Sequence, residues 1–216
     1  MTIGELARMY NDRQKIGAQL TVVPMQGWRR ALWWDQLDLP WVNPSPNIRR
    51  FEAEIHYPGT VFFEAMNLSE GRGTDLPFEQ TGAPWLDNQQ VVARMNALRL
   101  PGVRFEARDI PVAATGRQYP GQTIRGVRFI VTDRERYRPI AASLHMIAII
   151  RQLHPTEFQW RGPNAREPGL LTIERHGGSA KLKAAIDGGT LPALLKEWDR
   201  DVAEFRRIRA PYLLYR

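Results

Sequence analysis

A stretch rich in glycine and proline at residues 60–85 constrains the fold of this chain most strongly. Its landmarks are the apolar residues 61–63, Gly71, Gly73, Pro77 and Pro84. The apolar run predicts a short strand, and the glycines let the backbone turn or approach a ligand closely. The sequence therefore predicts a strand that delivers Glu64 into a polar loop, an arrangement typical of binding sites. The alternative is an ordinary turn with a solvated Arg72.

This loop does not have the pattern of a nucleotide-binding loop. Gly71 and Gly73 match the first two glycines of the dinucleotide pattern, but Leu76 occupies the third position, and no Lys-Ser or Lys-Thr pair follows. The chain has no cysteine, and its four histidines show no metal-ligand spacing. Nucleophile-elbow and zinc-protease motifs are also absent from the sequence. We therefore predict neither a cofactor nor a metal site.

Composition indicates a globular protein with a basic surface. Of the 216 residues, 43% are hydrophobic, which is enough for a sizeable core, and no apolar run is long enough to span a membrane. The net charge is +7, but acidic residues are interleaved with the arginines and no nucleic-acid-binding motif occurs, so a nucleic-acid partner is not expected. The first residues show no secretory-signal pattern, and the sequence leaves localisation open.

The N-terminal third reads as part of an α/β layer. Thr2 and Glu5 have capping-box spacing, which predicts a helix over about residues 3–15, and residues 20–25 predict a short buried strand. Residues 48–56 predict another helix, ended by Tyr57-Pro58-Gly59. We place a domain boundary near residue 58, so that residues 1–58 and 59–216 form separate domains.

The remainder predicts an α+β domain. Alternating apolar residues predict strands near residues 103–105 and 127–131, separated by a loop at 110–125. Asp87 is placed to cap a helix, and Pro139 to begin a buried helix that ends at Leu153. Residues 155–178 read as irregular. Ser179 predicts a short capped helix, and a long amphipathic helix follows over about residues 191–205.

Tryptophan is concentrated just after the first predicted strand. Trp28, Trp33, Trp34 and Trp41 lie within fourteen residues, near Arg30 and a Pro-rich loop that ends at Asn47. Ring faces beside polar side chains suit a carbohydrate, because C–H faces of sugars pack on aromatic rings while hydroxyl groups need polar partners. The alternative is that these tryptophans belong to a core.

Several motifs together resemble one family. They are VPMQGWRR at 23–30, PWVNPSPN at 40–47, NLSEGRGT at 67–74, GAPW at 82–85, LPGV at 100–103, VTDR at 131–134 and RAPYLLY at 209–215. Together they are similar to the NamZ-like family of bacterial exo-acting peptidoglycan β-N-acetylmuramidases. The sequence departs from the family near residues 113–117 and 165–178.

The resemblance implies a hydrolase that removes N-acetylmuramic acid from the non-reducing ends of cell-wall fragments. It also implies a Rossmann-like first domain, a smaller α+β second domain and an active site in the cleft between them. Family members look longer than this chain, which resembles their C-terminal part. We therefore expect residues 1–58 to be the end of the first domain. The family's His-Glu-rich loop, which is expected to carry the catalytic acid, has no counterpart here.

Glycosidases usually place two carboxyl groups about the scissile bond, ~5 Å apart for retention or ~6.5–9.5 Å for inversion. We predict Glu64 and then Glu70 as the catalytic carboxyl groups on this chain. The alternative for Glu64 is a structural ion pair with Arg72. The predicted substrate-binding residues are Trp28, Arg30, Trp34, Asn47, Asn67, Ser69, Arg72, Thr74 and Trp85. Among them, Arg72 or Arg30 would bind the lactyl carboxylate of muramic acid.

Two functions from different classes remain open at this point. The first is an exo-glycosidase of which this chain supplies the substrate-binding side. The second is a non-catalytic module that binds cell-wall glycan or assembles with a separate catalytic half. If residues 1–58 lack the rest of their sheet, their apolar face needs another partner, so a homodimer is a further expectation.

Overall fold

The computed structural model describes residues 1–164 and 167–215, which contain both helices and strands. The helices are α1 (Ile3–Arg13), α2 (Phe51–Thr60), α3 (Asn88–Ala97), α4 (Pro139–Leu153), α5 (Thr172–Gly177), α6 (Lys181–Asp187) and α7 (Leu191–Arg209). The strands are β1 (Gln80–Ala83), β2 (Val103–Pro111), β3 (Thr123–Val131), β4 (Pro163–Asn164) and β5 (Glu167–Leu171). This mixed composition confirms the predicted fold class at the level of mixed helix and sheet.

The chain divides into two compact units. The smaller unit contains residues 1–40 and the segment from Leu195 onward, and the larger unit contains residues 41–194. Residues 41–58 therefore pack with the larger unit. The domain boundary near residue 58 stays a prediction, because compactness and evolutionary domain limits are different properties.

An antiparallel sheet in the order β1-β3-β2 forms the centre of the larger unit. Phe105 lies opposite Phe129 in the register, and their rings contact edge to face with centroids 5.3 Å apart. This pairing explains why the apolar residues alternate along both strands. The two predicted strands are confirmed. They extend to Pro111 and Thr123, so the connecting loop is shorter than the predicted 110–125.

Helix α4 supplies much of the core of the larger unit. It begins with Pro139 at its first turn and ends at Leu153, as predicted, and six of its residues are buried. The buried residues are Ala142, Ser143, Leu144, Met146, Ile147 and Ile150. His145 is half-buried at the edge of this face, and burial lowers its pKa. The prediction of a central, buried helix is confirmed.

The strand predicted at residues 61–63 is wrong. Helix α2 runs through Pro58 and continues directly into a 3₁₀ helix at Val61–Ala65, so Glu64 lies on a helical turn. The break predicted at Tyr57-Pro58-Gly59 is wrong for the same reason. Phe62 and Phe63 are buried, and packing of α2 and its extension against α4 outweighs the poor helix propensity of Pro58 and Gly59.

The strand predicted at residues 20–25 is also wrong. Helix α1 forms as predicted, with Thr2 and Glu5 making both hydrogen bonds of a capping box. The segment after it forms neither helix nor strand. A strand requires a neighbour to which its backbone can bond, and in the described part of the smaller unit no neighbouring strand is present.

Asp87 caps α3 by accepting from the N–H of Gln90, as predicted. The short helix predicted after Ser179 forms as α6, but its N-cap is Ala180, and the Ser179 hydroxyl, one residue earlier, accepts from the N–H of Lys181. The segment predicted as irregular, 155–178, instead contains the hairpin β4–β5 and helix α5. Residues 165 and 166 of that prediction lie outside the described residues. No helix in the described ranges is both long and apolar enough to cross a membrane.

We predict that Gly59→Ala destabilises the larger unit. A Cβ at residue 59 would lie 2.0 Å from the carbonyl oxygen of Pro139 in α4. Within a helix, alanine is normally more favourable than glycine by about 1 kcal/mol. Overpacking costs about 1–3 kcal/mol, so we expect the free energy of unfolding to fall. Urea unfolding measures the change. Gly162→Ala is the control, since nothing lies within 4 Å of its Cβ position. Equal stability of the two variants would contradict the prediction.

Candidate functional site

An arginine that bridges two carboxylates forms the centre of the candidate site in the larger unit. Nη1 of Arg72 lies 2.6 Å from Oε1 of Glu64 and 2.8 Å from Oε1 of Glu70. Because both oxygens contact one nitrogen, they are at most about 5.4 Å apart. The structure thus brings together three residues predicted for the site, and it contains the ion pair that was the structural alternative for Glu64.

The two carboxylates differ in exposure. The side chain of Glu70 is 1% exposed and its Oε2 has no hydrogen-bond partner among the described residues, whereas the side chain of Glu64 is 16% exposed. Burial opposes the charge on Arg72, but the hydrogen bond with Glu70 and the charge of Glu64 raise its pKa. Arg72 therefore stays protonated and compensates the buried charge of Glu70. Of the two, Glu64 is the carboxylate within reach of solvent.

Two residues that sequence reasoning missed lie near Glu64. Arg117 Nη1 is 3.9 Å from Glu64 Oε2, and the Arg117 side chain is 51% exposed. The ring of His176 contacts Phe62 edge to face, and burial lowers its pKa although the charge of Glu64 opposes this shift. Each of these residues lies more than fifty positions from Glu64 in the sequence and comes near it only in the folded chain. No local spacing could therefore have indicated them.

The glycines of the loop permit close approach to the protein's own backbone. A Cβ on Gly73 would lie 2.6 Å from Cα of Gly116, and the Gly73 carbonyl accepts a hydrogen bond from the N–H of Ala113. Both Gly71 and Gly73 have positive φ, at 85° and 79°. The glycines thus allow the loop that carries Arg117 to pack onto the loop that carries Arg72.

Phe78 closes this loop in an unusual backbone conformation. Its φ is 65°, in the left-handed region, yet the residue is buried. Its N–H donates to the Glu70 carbonyl, its ring contacts Tyr57 edge to face, and the Arg72 guanidinium lies 4.8 Å from the ring centroid. A left-handed non-glycine residue costs about 1–2 kcal/mol, which these contacts offset.

Three predicted substrate-binding residues make their hydrogen bonds within the protein. The Asn67 amide donates to the Glu157 carbonyl and accepts from the N–H of Gln159. Ser69 pairs with Gly82 through both backbone groups, and its hydroxyl accepts from Gly71. The Thr74 hydroxyl donates to the Gly71 carbonyl at 2.6 Å. These bonds shape the loop, and contact of the three side chains with substrate stays a prediction.

The larger unit contains two other predicted binding residues, Trp85 and Asn47, which lie outside the loop at residues 67–74. Trp85 is half-buried, contacts the His154 ring edge to face and hydrogen-bonds the Tyr119 hydroxyl, which in turn donates to the Asn67 carbonyl. Asn47 is half-buried in a turn closed by Ile48 and Ser45. Trp85 is thus linked to the site loop through Tyr119, and its use as a sugar platform stays a prediction.

Trp28, Arg30 and Trp34 belong to the smaller unit. Arg30 Nη2 lies 2.6 Å from Oε1 of Glu5, whose side chain is fully buried, and the ring of Trp28 contacts Tyr215 edge to face. Burial opposes ionisation of Glu5, but backbone hydrogen bonds from Thr2 and Leu214 and the Arg30 guanidinium lower its pKa to about 2. Arg30 therefore has a structural partner, and binding of a substrate carboxylate by it stays a prediction.

Comparisons with known proteins settle the family. The family model for the C-terminal domain of the exo-β-N-acetylmuramidase NamZ matches residues 55–215, and the model for its N-terminal domain matches residues 1–52. The chain belongs to the NamZ family. The resemblance seen in the sequence motifs is thereby confirmed.

A curated relative and two solved structures accompany these matches. Over 216 residues, the chain is 34% identical to the peptidoglycan β-N-acetylmuramidase NamZ of Bacillus subtilis (strain 168). The match covers all of this chain and 50% of that protein. The chain thus spans about half the length of the curated relative. Two crystal structures of DUF1343 family proteins from Bacteroides fragilis are 24% identical, with TM-scores of 0.87 and 0.64. The two matches cover 99% and 100% of this chain, and each covers 56% of the crystallised chain.

We predict that Arg72→Met destabilises this NamZ-family chain by about 3–5 kcal/mol, because it leaves the Glu70 carboxylate buried without a partner. Urea unfolding measures the effect. Arg104→Met is the matched control: it removes the exposed ion pair with Glu106, and such pairs contribute about 0–1 kcal/mol. If the two variants were equally stable, Glu70 would not depend on Arg72.

We also predict that Arg30→Gln raises the pKa of Glu5 from about 2. The ordinary pKa of Glu5 is higher, so Glu5 contributes stability that is present above about pH 4.5 and is lost as the pH falls toward 2. With the folded-state pKa of Glu5 closer to 4.5, this loss should be smaller and should be complete at a higher pH. The carboxyl ¹³C shift of Glu5 during a pH titration reports the change. Arg29→Gln, at the exposed neighbouring position, should leave the titration unchanged.

Proposed function

We propose that this chain forms part of a glycoside hydrolase that releases N-acetylmuramic acid from the non-reducing ends of peptidoglycan fragments. Support comes from membership of the NamZ family and from the name of the B. subtilis relative, a peptidoglycan β-N-acetylmuramidase. The chain spans half of that relative, so the proposal concerns the contribution that these residues make to the reaction.

The partly exposed carboxylate of Glu64 is the single observation that carries the proposal. Its Oε1 is held by Arg72, while Oε2 lies on the side of the exposed Arg117. A fixed carboxylate that meets solvent is equipped to act as an acid, base or nucleophile at a sugar, or to bind its hydroxyl groups. Glu70, which is almost fully buried, serves instead to hold Arg72.

The cations beside Glu64 suit a substrate that carries a carboxylate. Muramic acid differs from glucosamine by its lactyl group, which is ionised at neutral pH. Arg72 is already bound to two carboxylates, whereas the exposed guanidinium of Arg117 makes, among the described residues of the site, only the 3.9 Å contact with Glu64. We assign Arg117 to the lactyl carboxylate, with Arg72 fixing the orientation of Glu64.

The other carboxyl group of the reaction is expected elsewhere. The family resemblance places it in the His-Glu-rich loop, which this sequence lacks. Residues 1–52 match the NamZ N-terminal model, and we propose that they form the last part of a Rossmann-like domain. In this view the described residues supply the wall of the site that binds and orients the muramic acid, with Glu64 as its reactive group.

The test is release of N-acetylmuramic acid from a chromogenic muramic-acid glycoside, by the chain alone and with the NamZ N-terminal domain of the B. subtilis relative added. We expect turnover in at least the second case, and we expect Glu64→Gln to lower kcat by at least about 100-fold. Arg117→Gln should chiefly raise KM, and less so for a glucosamine glycoside that lacks the lactyl group.

Glu106→Gln is the control, because Glu106 lies on β2 in an exposed pair with Arg104. Full activity of Glu64→Gln would remove Glu64 from the reaction. Binding of muropeptides without turnover in either mixture would overturn the hydrolase proposal in favour of a non-catalytic glycan-binding module. Absence of both binding and turnover would overturn both functions.

A further inference from the structure

The segment that follows Glu64 is bonded to two other parts of the larger unit. The Ala65 carbonyl accepts a hydrogen bond from the N–H of Arg161 at 2.8 Å. The Asn67 carbonyl accepts another from the hydroxyl of Tyr119 at 2.7 Å. Both donors come from distant parts of the sequence. The structure thus fixes them beside the short stretch that begins at the reactive carboxylate.

Trp85 forms a fixed aromatic surface at the same stretch. Its ring contacts the ring of His154 edge to face, with centroids 5.2 Å apart, and the indole hydrogen-bonds the Tyr119 hydroxyl that holds Asn67. Tyr119 itself has a φ of 54°, in the left-handed region, and its side chain packs on a buried cluster that includes Ile110. Trp85 is half-buried, so part of it remains accessible. An aromatic ring held in this way suits the C–H face of a sugar.

Arg161 brings a guanidinium without a protein acceptor to this surface. The residue is half-buried, and among the described residues its side chain makes neither an ion pair nor a hydrogen bond. Arg72, by contrast, is bonded to two carboxylates. Burial raises the pKa of Tyr119, and the charge of Arg161 opposes this rise, so the guanidinium lies near the Tyr119 hydroxyl. The N–H donors of Arg161 are therefore available to oxygen atoms of a ligand.

We infer that Trp85 and Arg161 bind the sugar that follows muramic acid, an N-acetylhexosamine on the leaving-group side of Glu64. The indole packs against the pyranose face, and the guanidinium donates to a hydroxyl group or to the acetamido carbonyl. This inference rests on the proposed function, because Glu64 and Arg117 set the position of the muramic acid itself. It adds the recognition of a second, neutral sugar by residues that take no part in the chemical step.

The course of the loop that carries Arg117 gives the direction in which the second sugar lies. Arg117 lies beside Glu64. Tyr119, two residues further on, is bonded to Asn67. The loop therefore leads from the reactive carboxylate toward Trp85. Three residues of chain span at most about 11 Å, so Asn67 lies within the length of a disaccharide from Glu64. An enzyme that removes one terminal sugar needs its next sugar site at this distance.

The first part of the experiment measures binding without hydrolysis. N-acetylglucosamine is added to the 216-residue chain, and the indole ¹H–¹⁵N signal of Trp85 and the Nε signal of Arg161 are followed by NMR. We expect both signals to shift in a saturable manner in millimolar sugar. Arg161→Gln should weaken binding by at least about tenfold, since it removes a charged donor. Arg104→Gln is the control, because it removes only the exposed pair with Glu106.

The second part measures specificity with the NamZ N-terminal domain of the B. subtilis relative present. The substrates are the disaccharide of N-acetylmuramic acid with N-acetylglucosamine, and the chromogenic muramic-acid glycoside, which has no second sugar. Arg161→Gln should raise KM for the disaccharide at least about tenfold more than KM for the chromogenic glycoside. A general loss of stability would instead affect both substrates alike.

The outcomes separate this inference from the proposed function. Shifts at Trp85 and Arg161 without turnover support the sugar site, while the hydrolase proposal fails. Absence of these shifts, both in the chain alone and in the mixture, overturns the inference. So do shifts that Arg161→Gln leaves unchanged, or turnover in which this variant changes KM equally for the two substrates.

Discussion

The buried charge of Glu70 determines the arrangement around the candidate site. A carboxylate that is excluded from water needs a cation beside it, and Arg72 supplies that cation from two residues further along the loop. The same guanidinium nitrogen holds Glu64, which reaches solvent. The position of Glu64 is thus fixed by the requirement to neutralise Glu70. A change in the shape of the loop would expose the Glu70 carboxylate or leave it buried without a cation.

Local sequence patterns predicted the elements whose stabilising contacts are local or periodic. Helix α4 could be delimited because Pro139 favours a first helical turn and its apolar residues cover most faces. Asp87 marked the start of α3 by its side-chain cap. Residues 61–63 could not be assigned correctly, because three apolar residues fit a strand or a buried helical turn equally well, and only packing beside α2 and α4 decides between them.

The site was predictable in part for the same reason. Glu64, Glu70 and Arg72 lie within nine residues, so their proximity follows from a tight loop, although the bridging geometry does not. Arg117 and His176 approach Glu64 only because one loop packs onto Gly73 and helix α5 packs beside the 3₁₀ helix. The polar residues Asn67, Ser69 and Thr74 make hydrogen bonds that show how the loop is built, while their contact with substrate stays a prediction.

The conformation of Phe78 has a consequence for the dynamics of the loop. A left-handed backbone at a buried aromatic residue is tolerable only while the ring remains in place between Tyr57 and Arg72. If the ring leaves, the backbone gains free energy by relaxing to an ordinary conformation, and the hydrogen bond to the Glu70 carbonyl goes with it. The backbone of Phe78, its ring and the loop that orients Glu64 are therefore coupled, so a change that displaces the ring also disturbs the loop.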